Sequence, residues 1–347
     1  MSITLSTEKL HAAEQLAQLL APGKRACLTT HVNPDGDGLG SEVALAHLLQ
    51  ALGLEVSIVN PTPTPERFAF LFADLPGVDR SAEAVKTLRR AELIVVLDIA
   101  DLGRLGMLSQ PVAERGVPVA CIDHHVSPGT LPPGPRYVDP TAAATGELIC
   151  EIALANRWPL TLPVARALYV ALITDTGGFR FSNTHPRTLR IAAELLERGL
   201  DPEDIYLEVY ANAPRGRPRL LAETLETLVV EEDAGLAWVT VPPGALERHA
   251  VSVDDLDGVV EFPRSVAGVR MAALFREISA GRVKVSLRSV GEVDVAAFAR
   301  PYGGGGHKHA AGLALSGSLA EVQETILGAA REFLGQGARE SASRGAS

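Results

Sequence analysis

Cys121-Ile122-Asp123-His124-His125 puts an acid and two imidazoles in a row at the end of an apolar run. Val117, Val119, Cys121 and Ile122 predict a buried strand of the near-continuous apolar kind found in parallel sheets covered on both faces. Open α/β sheets gather their chemistry at the carboxyl ends of such strands, so three ligand-type groups there mark a candidate site. Taken alone, the same residues also read as a helix-capping Asp followed by two exposed histidines. The rest of the chain decides between the two.

Upstream, the apolar stretch Ala26–Val32 runs into His31, Asn33, Pro34, Asp35, Gly36, Asp37 and Gly38. This predicts a strand, a tight glycine-rich turn and a helix from about Ser41 to Leu52. His31, Asp35 and Asp37 then present hard N and O ligands from one loop, and imidazole argues against a calcium-type turn. Leu54–Val59 predicts the next strand, and Leu93–Leu97 a third that ends in Asp98, with Asp101 and Arg104 in the turn beyond. Leu172–Thr174 follows a helical segment from about Val164 and is the fourth apolar run to end in an acid, Asp175. Strands alternating with helices predict an α/β fold, a doubly wound and mostly parallel sheet in the N-terminal domain.

The second half reads differently. A helical connector is expected over 191–225, separating an N-terminal domain of residues 1–190 from a smaller α/β domain of residues 226–335. Strands are expected at Leu236–Val241, Val269–Ile278, Val283–Ser289 and near Leu313, with a helix from about Leu319 to Leu334. The tail, 336–347, reads as disordered. Between Pro263 and Ala310 eight Lys/Arg stand against three acids, so that window carries +5 while the remainder of the chain carries −15, for a net −10. An acidic body with one basic face suits short or small anionic ligands and argues against long duplex nucleic acid.

Composition, 46% hydrophobic and 21% charged, is that of a globular protein. Three scattered cysteines form no CxxC pair and predict a reducing, cytoplasmic setting. The first twenty residues lack the pattern of a signal peptide, and no apolar run is long enough to span a bilayer, so no membrane partner is expected.

His31, Asp35, Asp37, Asp98, His124 and Asp175 together form a set of carboxylates with a minority of imidazoles and no thiolate. Such a set suits Mn²⁺ or Mg²⁺ better than structural zinc. Six ligands suffice for two ions about 3.5–4 Å apart, an arrangement used in phosphoryl transfer to water.

At this point the sequence resembles the DHH phosphoesterase superfamily, and within it the nanoRNase/pAp phosphatase branch, whose members hydrolyse short oligoribonucleotides and 3′-phosphoadenosine-5′-phosphate (pAp). The resemblance runs from about Arg25 to Leu334. It rests on HVNPDGDGLGS, LDIADLGR, IDHH and TDTGGF in the first half, and on VKVSLRS and GGGGHKHAAG in the second. It implies two Mn²⁺ ions, with Mg²⁺ as the alternative: His31 and Asp35 on one, Asp37, His124 and Asp175 on the other, and Asp98 bridging. It further implies that Asp123 orients His124, that His125 faces the scissile phosphate and that Arg104 adds a phosphate contact. Arg288, Ser286, Gly304, Gly305, Gly306 and His307 would hold the nucleotide, in a cleft between the domains. The expected partners are short RNA oligonucleotides and small phosphorylated nucleotides, with a homodimer as a further assembly. Competing readings are a phosphodiesterase for dinucleotides such as pApA, a family II inorganic pyrophosphatase and a nucleotide sensor without turnover. The absence of an Arg-Lys-Lys signature weighs against the pyrophosphatase, and the intact ligand set against the sensor.

Overall fold

The structure, a computed structural model, describes residues 5–20, 22–126 and 129–344; the side chain of His307 and those beyond residue 335 lie outside the described part. The chain divides into two compact units, Met1–Asn212 and Ala213–Ser347. The division falls inside the segment read as a connector.

The first unit contains α1 (Thr7–Leu19), β1 (Arg25–Thr29), α2 (Gly36–Ala51), β2 (Glu55–Ile58), α3 (Ala84–Leu88), β3 (Leu93–Leu97), α4 (Ser109–Glu114), β4 (Val119–Asp123), β5 (Arg136–Val138), α5 (Thr145–Ala155), α6 (Leu162–Asp175), α7 (Pro186–Leu196) and α8 (Pro202–Tyr210). Its five strands are all parallel, in the order β2-β1-β3-β4-β5. The continuous apolar character of β3 follows from burial on both sides. Leu93, Val95 and Leu97 join the core formed with α2, α5 and α6, while Ile94 and Val96 join the core formed with α3 and α4. The winding direction reverses between β1 and β3, and an open sheet binds its ligand outside the carboxyl ends of the strands at such a point. His31, Asp98 and the Asp123–His125 run all follow strands around that reversal.

Three local expectations change. First, the glycine-rich stretch is no separate turn, because α2 begins at Gly36 with Asp35 as its cap. The glycines let this helix lie close against its neighbours. A Cβ at Gly36 would sit 2.4 Å from the Thr174 side chain, and one at Gly40 2.5 Å from the Ala167 carbonyl oxygen, both on α6. Each glycine costs a helix about 1 kcal/mol relative to alanine, so the close approach is what they serve. Second, Asp175 ends a helix, α6, and not a strand. Third, the short strand β5 was not anticipated; it carries only three residues at the sheet edge.

The second unit contains α9 (Arg217–Leu225), β6 (Val229–Glu231), β7 (Leu236–Thr240), α10 (Ala245–Arg248), α11 (Glu261–Arg264), β8 (Met271–Ser279), β9 (Arg282–Ser289), α12 (Val295–Ala299), β10 (Gly305–His307), β11 (Ala310–Ser316) and α13 (Leu319–Arg344). Its sheet has the order β10-β11-β9-β8-β7-β6; β7 and β8 are parallel and every other pair is antiparallel. Strand β9 alternates cleanly: Val283, Val285 and Leu287 are buried against α12 and α13, and Arg282, Lys284, Ser286 and Arg288 take the other face. The helix α13 continues past Gly335 to Arg344, where the sequence reading had it stop near Leu334 with a disordered tail. Residues 345–347 lie outside the described residues. Among those described, no helix is long and apolar enough to cross a membrane.

Candidate functional site

Three overlapping groups of donors converge near the ends of β1, β3 and β4, one of them Asp98, His124 and His125. His31, Asp35 and Asp98 bring one ligand atom each to within 4.8 Å of one another, and so do Asp37, His124 and Asp175. Asp98 faces both. Its Oδ2 lies 3.5 Å from His31 Nε2, and its Oδ1 lies 3.5 Å from His124 Nε2. His124 Nε2 is also 3.6 Å from Asp37 and 3.7 Å from Asp175, and His31 Nε2 is 3.7 Å from Asp35. The backbone at Asp98 is left-handed, with φ 57°, as it is at Asn33, φ 54°. Such strain in non-glycine residues gathers where a side chain must be aimed.

The neighbours fix which nitrogen each imidazole offers. His31 Nδ1 donates to the Val32 carbonyl at 2.9 Å, and His124 Nδ1 faces the Ala142 carbonyl at 3.3 Å, so Nε2 is the atom that both rings turn toward Asp98. The resemblance implied that Asp123 orients His124; in the structure the Asp123 carboxylate engages His125. Its Oδ1 accepts from His125 Nδ1 at 2.7 Å and its Oδ2 from the Ala100 N–H at 3.0 Å. The reason is the turn after β4: the His125 N–H also bonds Asp123 Oδ1, at 3.2 Å, which folds the second histidine back onto the acid. An Asp–His pair thus stands beside the donor cluster, with His125 Nδ1 3.5 Å from Asp98 Oδ1.

Electrostatics at the cluster are strongly coupled. Burial pushes the Asp37 and Asp175 carboxyls well above the ordinary range, and neighbouring carboxylates, Asp98 first, push them further. Burial would also raise Asp98, but His125, His31 and His124 hold it well below that range. Burial alone would lower His31, yet Asp35 and Asp98 hold it up at about 10. Four carboxylates crowded together with only imidazoles to offset them are a donor set that fits divalent cations.

Several positioning groups escaped the sequence reading. The N-terminus of α5 supplies the Thr145 N–H to Asp37 Oδ2 at 2.7 Å and the Gly146 N–H to Oδ1 at 2.9 Å, and Thr145 Oγ1 donates to Asp98 at 2.9 Å. Asn183 Nδ2 donates to the Asp175 carbonyl and carboxylate. Behind His31, Asn60 accepts from the Thr30 N–H and donates to Glu42, a carboxyl that burial pushes up to about 8. Arg104 sits where its carbonyl accepts from the Val32 N–H, which ties the turn after β3 to the His31 loop.

In the second unit, Ser286 and Arg288 share a sheet face. The Arg288 Nε donates to Glu261 at 3.0 Å, so its guanidinium is already half engaged. The glycines expected as a loop are partly strand. Gly304 and Gly306 are required by packing, since a Cβ would lie 2.5 Å from the Gly312 oxygen and 2.3 Å from the Ala310 oxygen respectively. His307 closes β10, and its side chain lies outside the described residues.

The model of the DHH family, N-terminal domain, matches residues 25–172, and that of the DHHA1 domain matches residues 237–336. A protein of Thermus thermophilus named bifunctional oligoribonuclease and PAP phosphatase NrnA is 34% identical over 319 residues, covering 88% of this chain and 89% of its own. The chain belongs to the DHH family. A second DHH relative of the same name, from Bacillus subtilis, is 29% identical over 83% of this chain and 88% of its own. Among solved DHH-like structures, an exopolyphosphatase-related protein from Bacteroides fragilis superposes with a TM-score of 0.86 at 25% identity, covering 96% of this chain and 99% of its own. The two DHH-family matches correspond to the two units described above.

Proposed function

We propose that this DHH enzyme hydrolyses short oligoribonucleotides to mononucleotides and pAp to AMP, with two divalent ions, Mn²⁺ or alternatively Mg²⁺. His31 and Asp35 would hold one ion, Asp37, His124 and Asp175 the other, and Asp98 both. The observation that carries the two-ion reading is Asp98, whose two oxygens face two different donor sets. When bound, such ions supply Lewis acidity, lowering the pKa of water and offsetting charge on the phosphoryl group. The protein's own part is positioning and proton handling. Asp123 holds His125 by Nδ1, and the imidazole so oriented would carry a proton to the departing oxygen. Arg104 adds a phosphate contact. Ser286, Arg288, the Gly304–Gly306 backbone and His307 hold the part of the substrate that does not react. A cytoplasmic location is part of the reading, supported by three free, buried cysteines.

The test is a comparison of initial rates with Mn²⁺ on 5′-labelled oligoribonucleotides from two to about two dozen residues, alongside pAp, pApA and pyrophosphate, at about 0.15 M salt. Dimers to about pentamers are expected to lose one mononucleotide at a time, faster than the longest strands, because a +5 window on a −15 body anchors few phosphates. Faster cleavage of the two-dozen-mers would overturn the substrate class. Preference for pyrophosphate would favour the pyrophosphatase reading.

Proton competition gives a second expected result. In the ion-free protein the raised His31 contributes stability that is present below its ordinary pKa and lost as pH rises through about 10. Asp37 and Asp175 work against the fold as pH climbs above the ordinary carboxylate range, because the folded state must release protons it holds tightly. A cation replaces those protons, and its binding strengthens with pH. The gain in melting temperature on adding Mn²⁺ is therefore expected to be larger at about pH 8 than at about pH 5.5. A gain that shrinks over that range would remove these residues as ligands.

A further inference from the structure

The face of β9 that carries Ser286 and Arg288 also carries Lys284, and directly across the ladder from Lys284 stands Arg276 of β8. Like charges opposite one another destabilise a sheet. Arg288, on the same face, has Glu261, and Lys308 and Arg331 of this unit have Glu292 and Glu231. Among the described residues no ion pair involves Arg276 or Lys284. Glu277, next in sequence to Arg276, is in register with Val283 and so belongs to the opposite face. Partial burial lowers the pKa of both cations, and Arg276 lowers that of Lys284 further, so the two feel each other.

A second observation lies on the neighbouring strands. Gly312 of β11 is opposite Ser286, and Gly305 of β10 is opposite Gly312. Neither has a positive φ. A Cβ at Gly305 would meet nothing within 4 Å, and one at Gly312 would make only an ordinary 3.6 Å contact with the Val285 oxygen. Glycine costs stability in a strand and here serves neither backbone conformation nor packing, which leaves close approach by something outside the fold. The glycine row runs through Ser286, with Arg288 two residues along β9 on one side and Lys284 two residues along on the other. Their Cα atoms are about 13 Å apart, a distance that two long side chains shorten to the reach of one mononucleotide.

Building on the proposed substrate class, we propose that Arg276 and Lys284 form a seat for a second, non-reacting phosphate. The bare glycine row lets the nucleoside lie flat between this seat and Arg288. The enzyme is then selective for substrates that carry a terminal phosphate besides the one being cleaved: pAp over 3′-AMP, and pApA over ApA.

The test uses the full chain with Arg276→Gln and Lys284→Gln combined, and Lys284→Gln alone as a milder variant. With Mn²⁺, kcat/KM for pAp and pApA is expected to fall by about tenfold to a hundredfold in the double variant, the cost of a charge-assisted phosphate contact. Values for 3′-AMP and ApA should stay within about twofold, because those substrates never fill the seat. Equal losses on both kinds of substrate, or none, would overturn the proposal. Melting without metal gives an independent readout. The ligand-free double variant should melt no lower than wild type, since a repulsion has been removed, and pAp should stabilise wild type but not the variant. Stabilisation by inorganic phosphate as large as that by pAp would overturn the assignment to a nucleotide. If wild type hydrolyses none of the four substrates, the proposed function fails, while the melting arm still decides the seat.

Discussion

Asp98→Ala is expected to lower kcat/KM on every substrate by on the order of a thousandfold or more, equivalent to several kcal/mol of transition-state stabilisation. Among the described residues, Asp98 is the carboxylate whose two oxygens face the two donor sets. Its loss takes one oxygen from the His31 and Asp35 side and one from the Asp37, His124 and Asp175 side, and leaves Thr145 Oγ1 without its acceptor. The substitution also removes the carboxylate that the three imidazoles stabilise most strongly. The fold should survive, because one negative charge leaves a crowded acidic cluster, against which stand the lost Thr145 hydrogen bond and a φ of 57° that alanine meets poorly. Metal content by equilibrium dialysis, measured with kcat/KM and far-UV circular dichroism, separates loss of ions from loss of structure. Full activity of Asp98→Ala in metal-stripped buffer would end the two-ion reading.

What could be read from the chain follows how local each feature is. Leu93–Leu97 announces a strand covered on both sides because every residue in it is apolar, and Asp98 at its end is then conspicuous. His31, Asp35 and Asp37 stand out by spacing alone. Asp175 was legible as a ligand type but not as the end of a helix, since a short apolar run carries no period that separates strand from helix. The partners of these groups were not legible. The Thr145 and Gly146 N–H groups reach Asp37 across more than a hundred residues, and only the packing of α5 against α2 brings them there. The exchange of Asp123's partner from His124 to His125 depends on one turn after β4, which three adjacent letters cannot specify. In the second unit the alternation along β9 announced its two faces, but the Glu261 that engages Arg288 lies 27 residues away and on α11.

That exchange of partners changes what His125 can do, and its removal should show it. His125→Ala is expected to cost about 10²–10⁴ in kcat on oligoribonucleotides, the usual contribution of a positioned acid or base. Asp123→Asn should reproduce much of that loss without emptying the metal site. An amide can no longer accept two N–H bonds through one oxygen with a carboxylate's strength, and the proton on His125 Nδ1 loses its anchor. Because the two residues act as one unit, the double variant should lose little more than His125→Ala alone. The leaving group tells proton donation from simple charge stabilisation. The alkoxide departing from a ribose needs a proton, whereas the nitrophenolate departing from bis-p-nitrophenyl phosphate does not. The loss on the nitrophenyl ester should therefore be smaller than that on a dinucleotide by at least about tenfold. Equal losses on the two would mean that His125 stabilises charge without giving up a proton. A loss below about threefold on the dinucleotide would leave the Asp123–His125 pair as a structural clasp at the end of β4 and return the chemistry to the donor cluster alone.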